Sequence, residues 1–257
     1  MKNPLRHLIP RHLRPYNYLQ SLITEAVRDG IVSGPFQGMS YVDQAVCGSL
    51  YPKLLGTYER ELHPIILEIM KIGIRTVIDI GAAEGYYACG LARRLPDAKI
   101  IAFEADLKGR YLLERNIALN CLEDRVTVRG FCDAPLLTGA LERANQPVLI
   151  ICDAEGNEYD LLSPLNVPAL RDCWVLVELH DFLLPGITDI IKKRFAATHK
   201  VNEIQAQLRT RNDFQLASKD RYVKWLPSRY LDIYLSELRP QGMRWLWMIP
   251  MNGSSDS

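Results

Sequence analysis

Two short stretches of the chain gather the residues best able to do chemistry. The first is Cys152-Asp153-Ala154-Glu155-Gly156-Asn157-Glu158, where Asp153, Glu155 and Glu158 fall within six residues. Carboxylates this close raise one another's pKa unless a cation or hydrogen-bond donors sit among them. The alternative role for Asp153 and Glu155 is to cap the helix-like run at Tyr159–Leu162 and meet its dipole. The second is His180-Asp181, directly after the apolar run Cys173–Leu179. An imidazole titrates near pH ~6.5, so His180 is the best general-base candidate in the chain. Glu178, inside that apolar run, must either be buried with a partner or face the same site. Asp153, His180 and Asp181 offer hard oxygens plus one imidazole, a set able to hold Mg²⁺ or another divalent ion. The other histidines, His7, His12, His63 and His199, lie away from this constellation.

A third stretch supplies backbone rather than side chains. Thr76–Gly85 reads TVIDIGAAEG: a short apolar run broken by Asp79, then Gly81, Ala82 and Gly85, then the helix-like run from Tyr86. Glycine at a strand exit permits a sharp turn and lets a ligand approach the backbone. The helix that follows aims its free N–H groups over that turn. A dinucleotide fold uses G-x-G-x-x-G, and the middle glycine is absent here, which weakens the case for an NAD-dependent oxidoreductase. Glu104 follows the next apolar run, Lys99–Phe103, where a carboxylate can accept two hydrogen bonds from vicinal ribose hydroxyls. Asp133 follows a third run, Val126–Arg129; it could accept from an adenine amino group or cap the segment that starts at Pro135.

These residues need a sheet to bring them together. Five apolar runs ending at Ile80, Phe103, Arg129, Cys152 and Leu179 alternate with helical patterns, the signature of an α/β fold with a parallel sheet. In such a sheet, ligands bind at the carboxyl ends of the strands. Further on, Ile187–Ala197 reads as a helix, Lys200–Gln207 as an alternating strand, Arg209–Lys224 as a polar excursion, Pro227–Leu238 as a helix and Arg244–Ile249 as a last strand. The two terminal strands can pair antiparallel at the sheet edge. Before the first strand, helical spacing recurs over Tyr16–Val32 and Glu59–Lys71. The expected organisation is an N-terminal helical cap over 1–74, a main domain over 75–250 and a frayed tail over 251–257.

Composition sets outer limits. The 257 residues carry 31 Lys plus Arg against 30 Asp plus Glu, a formal net charge of +1. Balanced charge argues against a nucleic-acid partner, although Arg209, Arg211, Lys219, Arg221 and Lys224 cluster locally. The basic arm with Lys2, Arg6, His7, Arg11, His12 and Arg14 reads as a loosely held terminus. Prolines and arginines at Pro4, Arg6, Pro10 and Arg11 interrupt any secretory apolar segment, and no run is long enough to span a membrane. The six cysteines form no C-x-x-C pair and mostly sit in apolar runs, as small hydrophobes of a reduced, cytoplasmic compartment.

The pattern D-x-G-x-x-x-G at Asp79–Gly85 resembles the first motif of the Rossmann-like S-adenosylmethionine-dependent methyltransferases. Val77–Tyr87 (VIDIGAAEGYY), Ala102–Asp106 (AFEAD), Asn116–Asn120 (NIALN), Cys152–Leu162 (CDAEGNEYDLL) and Val177–Phe182 (VELHDF) together resemble the FkbM family of those enzymes, as does Gly56–Glu61 (GTYERE). The resemblance covers roughly Gly56 to Phe182 and leaves the opening cap and the substrate unexplained. It implies a seven-stranded, mostly parallel methyltransferase sheet with helices on both faces, and O-methylation of a sugar, glycan or polyketide-type hydroxyl. S-adenosylmethionine would then be held by Asp79, Gly81, Ala82, Gly85, Tyr86 and Asp153, with Glu104 on the ribose and Asp133 at the adenine amino group. His180 would be the base, with Asp153 or Glu155 orienting the acceptor; a metal-assisted sugar methyltransferase and a non-catalytic nucleotide-binding module are the alternatives.

Overall fold

The computed structural model describes residues 10, 14–216, 220–240 and 242–251. Lys2, Arg6, His7, Arg11 and His12 of the basic arm, Lys219, and tail residues 252–257 lie outside them. Seven strands form one sheet: β1 (Thr76–Ile80), β2 (Lys99–Phe103), β3 (Val126–Arg129), β4 (Val148–Cys152), β5 (Trp174–Leu179), β6 (His199–Gln205) and β7 (Arg244–Pro250). Their order is β3-β2-β1-β4-β5-β7-β6. Strands β1 to β5 run parallel. Strand β7 is antiparallel to both its neighbours.

Every residue of β1 and β4 is buried, which is why both read as apolar runs, β4 unbroken and β1 interrupted by Asp79. Successive side chains go to opposite faces. Val77, Leu149 and Ile151 join one core with Trp245 and Trp247, while Ile78, Ile150 and Cys152 join the other with Val175 and Met248. The antiparallel strand is β7, not the edge strand. Its RWLWMIP run is buried almost throughout, whereas in β6 only His199 is buried and the other positions are half-exposed or exposed, so β7 takes the interior slot beside β5 and β6 takes the rim. This interior antiparallel strand also departs from the classic dinucleotide order.

Helices α1 (Pro15–Ala26), α2 (Leu50–Leu55) and α3 (His63–Ile72) precede the sheet. Within it α4 (Tyr86–Arg94), α5 (Leu107–Leu119), α6 (Ala134–Glu142), α7 (Glu158–Leu161) and α8 (Ile187–Phe195) make the crossovers. The helix expected from Glu59 starts instead as a 3₁₀ turn, Arg60–Leu62, because Glu59 itself sits at φ 47° and only His63 onward, with Pro64 in the first turn, is regular. The helix expected over Pro227–Leu238 is broken into a 3₁₀ turn, Ser228–Tyr230, and a short helix, Asp232–Leu235. None of the described helices is long and apolar enough to cross a membrane.

The arginine-rich segment after β6 is packed rather than solvated. Phe214, Leu216 and Val223 form a third core with Leu19 and Ile23 of α1 and Leu55 of α2. The Arg209 guanidinium is buried between Glu61 and Glu237, and Arg211 donates to the carbonyls of Leu226, Val223 and Lys224. The charge of these two arginines is spent inside the fold, whereas Arg221 and Lys224 are exposed.

The segment before β1 is tied to the glycine loop by one buried pair. Lys53 of α2 and Glu84 are both almost fully buried and ion-paired, and Lys53 also donates to the Cys47 carbonyl at 2.7 Å. Glu84 further accepts from Tyr41 Oη at 3.0 Å and from the Val46 amide at 3.1 Å. Removing one partner strands the other charge in the core. Lys53→Met is therefore expected to lower unfolding free energy by about 3–5 kcal/mol in urea titrations, with part of the loss recovered in Lys53→Met/Glu84→Gln.

Candidate active site

The site forms where β1 and β4 run side by side and their chains part, the switch point of the sheet. Gly81, at φ +81°, leaves β1 against β4; a Cβ there would fall 1.8 Å from the Asp153 carbonyl oxygen. No other residue fits. Glycine is thus required by the contact between the two strand exits, as well as by any ligand that approaches the loop. Gly85, at φ +91°, opens α4. Beneath the loop lies Asp79, 3% exposed, with Oδ2 buried and without a hydrogen-bond partner. Burial, then the charges of Asp153 and Glu104, push its carboxyl up to about 7, against a smaller pull from the Ala88 amide.

A cavity of about 510 Å³ crosses the carboxyl ends of β1 to β4. Gly81 and Ala83 form its floor, Glu104 and Phe131 stand beyond β2 and β3, and Asp153 closes its near end. Ala45, Val46 and Cys47 cover it from the segment before β1. Glu104 is held in place by the Ala83 amide at 2.6 Å and the Asp106 amide at 2.7 Å, one on each oxygen. A carboxylate has about four lone-pair sites, so both oxygens retain acceptor capacity toward the cavity.

Other residues expected at a cofactor are placed differently. Asp133 is exposed, accepts from the Leu136 amide at 2.8 Å as the N-cap of α6, and does not line the cavity; its neighbours Phe131 and Cys132 do. Tyr86 is buried among rings, with centroids 5.2 Å from Phe36, 5.2 Å from Tyr58 and 5.4 Å from Tyr87. Tyr86 and Ala82 border only a narrow space of about 30 Å³ beside Asp79.

A second cavity, about 220 Å³, opens on the far side of Asp153 and is lined by Glu155, Glu178, His180, Phe182 and Arg239 among others. Asp153 and Cys47 line both cavities and the narrow space between. His180 is 2% exposed, with Nδ1 2.8 Å from Glu158 Oε1 and Nε2 3.5 Å from Asp153 Oδ1 and 3.8 Å from Glu155 Oε2. Burial pulls the imidazole pKa down, but the Glu158 hydrogen bond and the surrounding carboxylates outweigh it and raise the net value. Burial likewise opposes ionisation of Glu158, and the His180 hydrogen bond with backbone donors outweighs it, holding that carboxyl below its usual range. Burial raises Asp153 to about 6, with Glu155 and Glu158 adding and His180 subtracting. Glu158 thus fixes the Nδ1–H tautomer and leaves Nε2 as the basic nitrogen facing the cavity.

Asp181, by contrast, is turned away. It accepts from the Thr188 hydroxyl and lies 3.4 Å from the Thr188 amide at the start of α8. Among the described residues, the group whose ligand atoms lie within 4.8 Å of one another is Asp153, Glu155 and His180, without Asp181. The orphaned buried Asp153 Oδ1 belongs to that group.

Three participants were not legible beforehand. Glu158 was one of three clustered acids, and only the fold turns it onto His180, 22 residues away. Arg239 reaches Glu59, Glu178 at 2.8 Å, Glu237 at 3.4 Å and Tyr58 Oη at 3.1 Å, joining the segment before β1 to the cavity wall. Cys47 carries no local motif at all. The one available signal was Glu178 itself, an acid in an apolar strand that had to find a cation.

No protein-family model matches the chain, and neither does any curated protein. Solved structures do. The METTL16 MTase domain (crystal form 2) is similar with a TM-score of 0.51 and 17% identity, over 92% of this chain and 80% of that one. The delta-N METTL16 MTase domain gives 0.50 and 17%, over 92% and 96%. At this identity the likeness is one of architecture, and it shows that the chain has the seven-stranded Rossmann-like fold of class I methyltransferases.

Proposed function

We propose that the protein is an S-adenosylmethionine-dependent methyltransferase that methylates a hydroxyl of a sugar, glycan or polyketide-type small molecule, of the kind the FkbM resemblance implies. The observation that carries this reading is the pair of cavities meeting at Asp153: one runs past Glu104, the other holds His180 Nε2. The residues present fit the cofactor. The buried, unpartnered Asp79 Oδ2 is suited to an ammonium group, the Gly81 turn to close backbone approach, and Glu104 to ribose hydroxyls. When bound, the cofactor supplies an electrophilic sulfonium methyl.

The chain's own part is orientation and proton removal. Asp153, at the junction, sets the line from acceptor to methyl donor, a task in which proximity supplies most of the rate. His180 Nε2 takes the acceptor's proton, because a neutral alcohol is a weak nucleophile. Glu158 holds the ring in the correct tautomer and stabilises the imidazolium that results. The Asp153–Glu155–His180 group also supports a second reading in which a divalent ion activates the acceptor hydroxyl.

Calorimetric titration is expected to show binding of S-adenosylmethionine and none of NAD, with EDTA without effect; the absence of S-adenosylmethionine binding would reject the proposal, and a Mg²⁺ heat lost in Asp153→Ala would favour the metal reading. Glu104→Ala is expected to weaken cofactor affinity by about tenfold or more, as two charge-assisted hydrogen bonds are lost. His180 must be neutral to act, so turnover should rise with pH through its raised pKa; Glu158→Gln removes the main upward influence and should move that acid limb to lower pH in a pH–rate profile. For Asp79, whose folded pKa of about 7 exceeds the ordinary 3.8, the native state binds more protons between those values, so stability falls as pH rises across that window. Asp79→Asn should therefore raise the melting temperature of the ligand-free protein at pH 8, leave it unchanged near pH 4, and weaken cofactor binding.

A further inference from the structure

The cavity that holds His180 has an unusual balance of charge. Four carboxyl groups line it: Asp153, Glu155, Glu178 and Glu237. Arg239 is the single Lys or Arg among its described lining residues, and it is not free. Its guanidinium is shared between Glu59, Glu178 at 2.8 Å and Glu237 at 3.4 Å, and its face lies 5.2 Å from the Tyr58 ring. Arg209 behind it is paired with Glu61 and Glu237, and Lys53 with Glu84. Lys53, Arg209 and Arg239 are therefore consumed by the fold, and what remains to greet a ligand beside His180 is Asp153 Oδ1, buried, without a hydrogen bond and 3.5 Å from His180 Nε2, and the 65%-exposed Glu155.

We infer that the acceptor is an amino alcohol whose protonated amine is held by Asp153 and Glu155 beside the hydroxyl that faces His180. This rests on the methyltransferase reading and narrows its substrate class. The spacing matches. His180 Nε2 lies 3.5 Å from Asp153 Oδ1 and 3.8 Å from Glu155 Oε2, so a hydroxyl at the nitrogen and an ammonium at the carboxylates occupy adjacent positions, as on neighbouring carbons of one molecule. The half-exposed Phe182 ring and the Tyr58 ring flank the same space and suit a compact ring or chain with a cationic edge. A phosphorylated or carboxylated acceptor meets unpaired negative charge instead of a free guanidinium, and is rejected by repulsion.

The test uses the full chain loaded with S-adenosylhomocysteine and three probes on one sugar ring: glucose, glucosamine with an ammonium in place of one hydroxyl, and glucosamine 6-phosphate with a phosphate added. Affinities are read by ligand-observed NMR titration, after calorimetry has measured cofactor binding separately. Glucosamine is expected to bind at least about tenfold tighter than glucose, with the phosphorylated form weaker than either. Glu155 is exposed, so its variants should fold. Glu155→Gln should shrink the preference toward unity and Glu155→Lys should invert it. Equal binding of glucose and glucosamine overturns the inference, as does preference for the phosphorylated probe or failure of glucosamine to bind. So does a preference untouched by Glu155→Gln, or glucosamine binding that requires a divalent ion and vanishes in EDTA. Normal S-adenosylmethionine binding with any of these results would leave the methyltransferase reading standing; loss of cofactor binding alone would remove that reading while the charge preference could still be measured.

Discussion

The contact between Gly81 and the Asp153 carbonyl is the constraint on which the rest of the site depends. It fixes how closely the exits of β1 and β4 approach, since any side chain at position 81 would collide with that carbonyl. The approach places Asp153 over the glycine loop, where it borders both larger cavities. It also brings Asp153 close enough to raise the proton affinity of Asp79 in a buried setting. A wider separation would leave two unrelated clefts. With the narrow one, Asp153 lines both the cavity that holds Glu104 and the cavity that holds His180.

Charge is the second organising theme. The region around β1, β4 and β5 buries an exceptional set of acids: Glu59, Glu84, Glu158 and Glu178 are each at most 2% exposed. Each has a cationic or imidazole partner: Arg239 for Glu59 and Glu178, Lys53 for Glu84, His180 for Glu158. These pairs contribute little net stability compared with apolar residues of the same volume, but they are expensive to break singly. They join the segment before β1 and the segment after β6 to the sheet, so the walls of both cavities are set by paired charges rather than by loop flexibility. Asp153 Oδ1 and Asp79 Oδ2 are buried without a hydrogen bond, and both residues border the space a ligand would fill.

The glycine loop and the acidic tips of β2 and β4 were readable because each obeys a local rule: apolar run, turn residue, polar exit. The same local reading overextended where only tertiary packing decides. Arg209–Lys224 has the composition of a solvated loop, yet Phe214, Leu216 and Val223 are three apolar residues that α1 and α2 can cover, and Arg209 and Arg211 find carboxylates and carbonyls inside. Asp181 and Asp133 have the same chemistry as their neighbours in sequence but serve Thr188 and α6 instead of the cavities. Which way an acid at a strand exit turns depends on the nearest unsatisfied donor, and that donor comes from the following helix.

By itself the sequence determined the alternation of strands and helices, the edge of the sheet where chemistry gathers, and the residue types available there. It could do so because burial on both faces of a parallel sheet and the turn at Gly81 leave period and composition marks within a few residues. The tertiary structure alone decided that β7 lies inside β6, that Glu158 orients His180, that Cys47 and Arg239 complete the walls, and that Asp181 stands apart. Those are contacts between segments up to 180 residues apart, such as Arg239 with Glu59. They depend on partners brought together across the fold, and a local stretch of sequence carries no record of the partner.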